Sequence, residues 1–124
     1  MNIKYSILPA VIVADIATKN IKHFEEADHY KQMHWWIFLC FIPLAYTAKK
    51  YPKYRFWASL MFTGGLLNYF DSLNGHVVNP FILIVQETGI GFNIADIAIL
   101  GGFIGSVVIY VKSKKIGRVK WKNV

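Results

Sequence analysis

Three aspartates, two asparagines and one lysine interrupt otherwise apolar stretches of this 124-residue chain: Asp15, Lys19, Asn68, Asp71, Asn93 and Asp96. Asp15 precedes Lys19 by four residues, and Asn68 and Asn93 precede Asp71 and Asp96 by three. Residues three or four apart share a helical face, so each pair presents its polar atoms together. Ionisable groups at membrane depth are costly unless they face a protein cavity, water or each other. For Asp15 and Lys19 the spacing predicts a self-neutralised pair pinning the first helix; holding a headgroup or orienting a site is the alternative. Asn68, Asp71, Asn93 and Asp96 read together as a polar site at one membrane face. A carboxylate in such a place faces a protein cavity or water and not lipid, which marks a functional site.

Other reactive side chains are less informative. His23, Glu26 and His29 could be imagined as metal ligands, but their spacing fits a solvated helical face better. Cys40 lies within the apolar run Trp35 to Ala48, where a small buried side chain is expected. With a single cysteine, thiolate metal sites and intramolecular disulfides are not expected. No cofactor motif and no Ser/His/Asp arrangement is present. Asp15, Thr18 and Lys19 stand where a signal peptide would carry small residues, so a cleavable leader is not expected.

The elements that position these residues follow from hydropathy and charge. Four apolar runs predict transmembrane helices at about 5–21, 33–48, 56–70 and 92–111. Only the fourth comfortably reaches the ~20 residues needed to cross the hydrocarbon core. Trp35, Trp36, Tyr46, Tyr51, Tyr54 and Trp57 are placed as interfacial anchors for the shorter ones. Eleven of the fourteen Lys and Arg lie in three acid-free segments, Met1 to Lys4, Lys49 to Arg55 and Lys112 to Lys122. That segregation predicts four spans with both ends inside and residues 112–124 as a basic cytoplasmic tail. It also argues against nucleic-acid binding, despite a net charge of +7. The expected fold is one all-α membrane domain. Asn74-Gly75 predicts a tight turn. Phe81 to Val85 is too short to span and predicts an extended or re-entrant piece before the last helix. Gly101 and Gly105 predict close helix packing.

Read in order, these pieces resemble lipoprotein signal peptidase, signal peptidase II, as a short, divergent member. Asp15-Ile16-Ala17-Thr18-Lys19 looks like the family's D-x-x-S/T-K motif. Thr63-Gly64-Gly65-Leu66-Leu67-Asn68-Tyr69-Phe70-Asp71 looks like G-G-x-x-G-N-x-x-D-R, with Leu67 at a glycine and Ser72 at the arginine. Val77-Val78-Asn79 falls where the family has V-V-D. Phe92-Asn93-Ile94-Ala95-Asp96 matches F-N-x-A-D in full. The resemblance implies a four-helix aspartic peptidase of the bacterial inner membrane, with both termini inside. Asp96 occupies one position of its catalytic dyad and Asn79 the other. Asn79 is neutral and cannot act as base. The family's outer N-x-G-x-x-F element has no counterpart.

Three functions follow as expectations. The first is a non-catalytic relative whose polar pocket binds a lipid-modified segment, a signal peptide or a partner subunit. The second is an active, divergent lipoprotein peptidase. The third is a structural membrane subunit of an envelope complex. Membrane lipid is a partner in all three, and no metal or cofactor is expected in any.

Overall fold

The computed structural model describes residues 2–21, 26–27, 34–73, 77–78 and 80–122. The fold is mostly helical. After a 3-10 turn at Ile3–Ser6, the helices are α1 (Ile7–Ile21), α2 (His34–Lys50), α3 (Arg55–Leu73) and α4 (Ile94–Lys122). Pro52 opens a second 3-10 turn, Pro52–Tyr54, that reverses the chain between α2 and α3. Central α3 packs most closely on α4, then on α2, and α1 lies against both α3 and α4.

The described residues also form four short strands: β1 (Glu26–Ala27), β2 (Val77–Val78), β3 (Phe81–Val85) and β4 (Thr88–Phe92). β1 pairs antiparallel with β2, which ties the α1–α2 connection to the α3–α4 connection. β3 and β4 form a hairpin with Phe81 opposite Phe92 and Val85 opposite Thr88. Gln86 and Glu87 at its tip both have positive φ, 48° and 66°. Two left-handed residues make the turn whose twist matches that of paired strands. The extended piece expected at Phe81 to Val85 is therefore one arm of a hairpin that leads directly into α4.

Glycines set the α3–α4 seam. A Cβ on Gly64 would lie 2.4 Å from the Ala95 carbonyl oxygen, and one on Gly105 2.3 Å from the Trp57 ring. On Gly102 it would meet the Met61 side chain and the Trp57 carbonyl. A Cβ on Gly101 would lie 3.9 Å from its nearest neighbour, a Leu60 methyl. The tight pair on α4 is thus Gly102 with Gly105, and not Gly101 with Gly105. Gly101 lies about a fifth of a turn off the α3-facing line.

The spanning expectation holds for one described helix, and several other expectations are corrected. Ile94–Gly117 is the one described helix long and apolar enough to cross a membrane, with a mean hydropathy of 2.1. α1 has 15 residues and α2 has 17, a rise of about 22–26 Å against a hydrocarbon core of ~30 Å. α4 runs on to Lys122, so the basic segment is helical through that residue and not a separate tail. Cys40 is exposed on α2. Trp57 packs inward onto Gly105 instead of anchoring an interface. Glu26 lies in a strand and not on a helix. His23, His29, Asn74, Gly75 and Asn79 lie outside the described residues.

Large apolar side chains lie outside on three helices while charged and polar ones are buried between them. Ile12, Val13 and Ile16 of α1, Leu39 and Ile42 of α2, and Leu100, Phe103, Ile104 and Val108 of α4 are exposed. Asp15, Lys19 and Asn93 are only 1%, 6% and 0% exposed.

Candidate functional site

The first turn of α4 is the organising centre. Helix starts leave backbone amides without internal partners, and here side chains take them. Asn93 Oδ1 accepts the Asp96 N–H at 2.8 Å, and Asp96 Oδ2 accepts the Asn93 N–H at 3.1 Å. This reciprocal pair is a capping box with aspartate in the role usually taken by glutamate. The spacing of Asn93 and Asp96 is thus the geometry that starts a helix.

α3 joins through Asn68. Its Nδ2 donates to Asp96 Oδ1 at 2.7 Å, and its Oδ1 accepts from Asn93 Nδ2 at 2.9 Å. Asn68 reaches this position because Gly64, one turn earlier on the same face, lets α3 touch the Ala95 backbone. α1 joins through Asp15, whose Oδ1 accepts the Ala95 N–H at 2.9 Å. Asp15 Oδ2 lies 2.6 Å from Lys19 Nζ, which lies 2.5 Å from Asp71 Oδ2. Lys19 therefore bridges α1 to α3 as well as neutralising its own helix partner. Thr18 turns back onto its helix, donating to the Ala14 carbonyl at 2.7 Å.

All six retained polar residues named from the sequence are in one connected network spanning α1, α3 and α4. Asp71 is its most solvent-facing ion-pair member, with a side chain 24% exposed. The network carries three carboxylates against one ammonium, Lys19, and the positive end of the α4 dipole faces Asp15 and Asp96. The sequence did not signal two features. One is the use of Ala95, a backbone amide with no side-chain signature. The other is Lys19 reaching across to Asp71. Ser72 is buried and donates to the Tyr69 carbonyl at 2.8 Å. Asn79 follows β2 and precedes the buried Pro80.

No protein-family model, curated protein or solved structure matches the chain.

Chemically, the arrangement locks three helices together: both Asp96 oxygens accept hydrogen bonds, and Asp15 and Asp71 hold the Lys19 ammonium.

Proposed function

We propose that the chain is a multi-pass protein of a bacterial inner membrane, built on the signal-peptidase-II plan but without its peptidase chemistry. Its polar centre and the adjoining hairpin receive a lipid-modified or signal-peptide segment at the outer face. The placement of side chains supports several helices lying in lipid, since apolar side chains cover the outside while charged ones pair within. Helices α1 and α2 then cross with their interfacial flanks or by local thinning of the bilayer.

The observation that carries the non-catalytic reading is the bonding of Asp96. It closes a capping box with Asn93 and accepts from Asn68, so helix initiation accounts for it without catalysis. Asn79 adds a neutral amide where the family has its second carboxyl. The hairpin supports an apolar occupant: Leu83, Ile84 and Ile90 are exposed on strands that run straight into Asn93.

The test is photo-crosslinking from the hairpin, with the probe placed at Leu83, against a synthetic diacylglyceryl peptide in membranes. Capture of the peptide, competed by unlabelled peptide, supports the proposal. A crosslink to a single membrane protein that the peptide does not displace would mean that a fixed partner occupies the arm instead. Cleavage of the peptide would mean an active enzyme.

A further inference from the structure

At the opposite end of the bundle a second site is built from different chemistry. A cavity of about 410 Å³ opens between the α2–α3 turn and the last third of α4, lined by Tyr51, Lys53, Tyr54, Tyr110, Ser113 and Lys114. We propose that this cavity binds the phosphate of an anionic phospholipid headgroup.

Charge is the first argument. The two segments that supply the cavity's lysines, Lys49 to Arg55 and Lys112 to Lys122, contain no acidic residue. Among the described residues the ion pairs are made by Lys19 alone. Lys53 and Lys114 therefore present ammonium groups with no carboxylate to neutralise them, and Lys50 adds a third on the adjoining turn.

Donor geometry is the second. Lys53 Nζ donates to Ser113 Oγ at 3.1 Å, which joins the α2–α3 turn to α4 and leaves the Ser113 hydroxyl hydrogen free to be donated. The three lining tyrosines supply further hydroxyls. Phosphate oxygens suit such a mixture, with ammonium groups giving the strong charge-assisted bonds and hydroxyls the orientation.

Placement is the third. Lys53 lies 5.0 Å from the centre of the Tyr54 ring and Lys114 lies 4.9 Å from that of Tyr110. Lys50 Nζ donates to Tyr46 Oη at 2.7 Å and lies over the Tyr51 ring. Tyrosine with lysine stationed over it is the composition of a headgroup belt. Towards the bundle's middle, Phe103 and Val107 are exposed on the face of α4 that carries Tyr110 and Lys114, giving the acyl chains an apolar track beside the cavity. A free phosphate would use the lysines but not that track, so the lipid is the better match.

This inference rests on the helices crossing a membrane but not on the polar centre at the other end. Its test uses the full chain purified in neutral detergent and native mass spectrometry with added lipid. Phosphatidylglycerol is expected to be retained about tenfold more than phosphatidylethanolamine, because both offer a phosphate but the ethanolamine ammonium is repelled by Lys53 and Lys114. Lys53→Gln with Lys114→Gln should abolish that preference, Lys53→Arg with Lys114→Arg should keep it, and Lys4→Gln, outside the cavity, should leave it unchanged. Equal retention of the two lipids, or a preference that survives the double glutamine variant, would overturn the site. Displacement of the lipid by millimolar inorganic phosphate would assign it to a soluble anion instead. A chain that membrane-insertion assays place outside the bilayer would instead overturn the spanning reading, so the two failures are distinct.

Discussion

Asp15 accepts a hydrogen bond from the backbone amide of Ala95 at 2.9 Å, across eighty residues of sequence. One carboxylate in the middle of α1 thereby terminates the first turn of α4, and its second oxygen holds Lys19. Removing it leaves a buried amide unpaired and Lys19 dependent on Asp71 alone. Asp15→Ala should therefore lower stability by about 3–5 kcal/mol, the cost of breaking a buried ion pair from one side. Asp15→Asn keeps an acceptor for Ala95 and should cost less. Unfolding in mixed detergent micelles checks the order, and equal losses would show that the charge is irrelevant.

The glycine seam predicts a contrast between adjacent positions. Gly102→Ala puts a methyl into Met61 and the Trp57 carbonyl and should cost about 1–3 kcal/mol through overpacking. Gly101→Ala meets only a Leu60 methyl at 3.9 Å. It should be neutral or stabilising by up to about 1 kcal/mol from helix propensity. Gly64→Ala should behave like Gly102→Ala and also part Asn68 from Asp96. Thermal unfolding of the three variants reads the difference.

Catalysis gives a third prediction. The purified protein should not cleave a prolipoprotein substrate, and Asp96→Asn should alter stability and not turnover. The lost box should cost about 1 kcal/mol, as caps typically do. Turnover by the unmodified protein that disappears in Asp96→Asn would establish an active peptidase.

Topology gives a fourth. Reporter fusions after Lys53 and after Lys122 should report cytoplasm, and fusions near Asp28 and Gly75 the outer side. A cytoplasmic signal at Gly75 would remove the four-span arrangement.

Much of the polar centre was legible in the sequence because its members sit at helical spacing within apolar runs, where they have few alternatives. Asn68, Asp71, Asn93 and Asp96 were grouped for that reason, and the hydrogen bonds of Asn68 join two of those pairs directly. Asp15 and Lys19 look only like a local pair in the sequence, because spacing along one helix says nothing about a neighbouring helix. That Ala95 receives Asp15 depends on how deeply α1 sits against α4, a tertiary quantity. The helix boundaries shifted for a simpler reason. Hydropathy marks where lipid-like residues end, whereas backbone hydrogen bonding continues into Lys112 to Lys122, whose lysines and arginine are good helix formers. Gly101 was paired with Gly105 by the four-residue rule, but the α3–α4 crossing selects the three-residue neighbour, Gly102.

The uninterrupted course of α4, from its box at Asn93 to Lys122, makes it a lever as well as a wall. Its 29 residues span about 43 Å, so a tilt of about 5° at the capped end displaces the basic end by about 4 Å. The two ends carry opposite chemistry, carboxylates at one and lysines at the other. An occupant that shifts the first turn would be felt at the far surface as a displaced row of positive charge, with no hinge in between to absorb it.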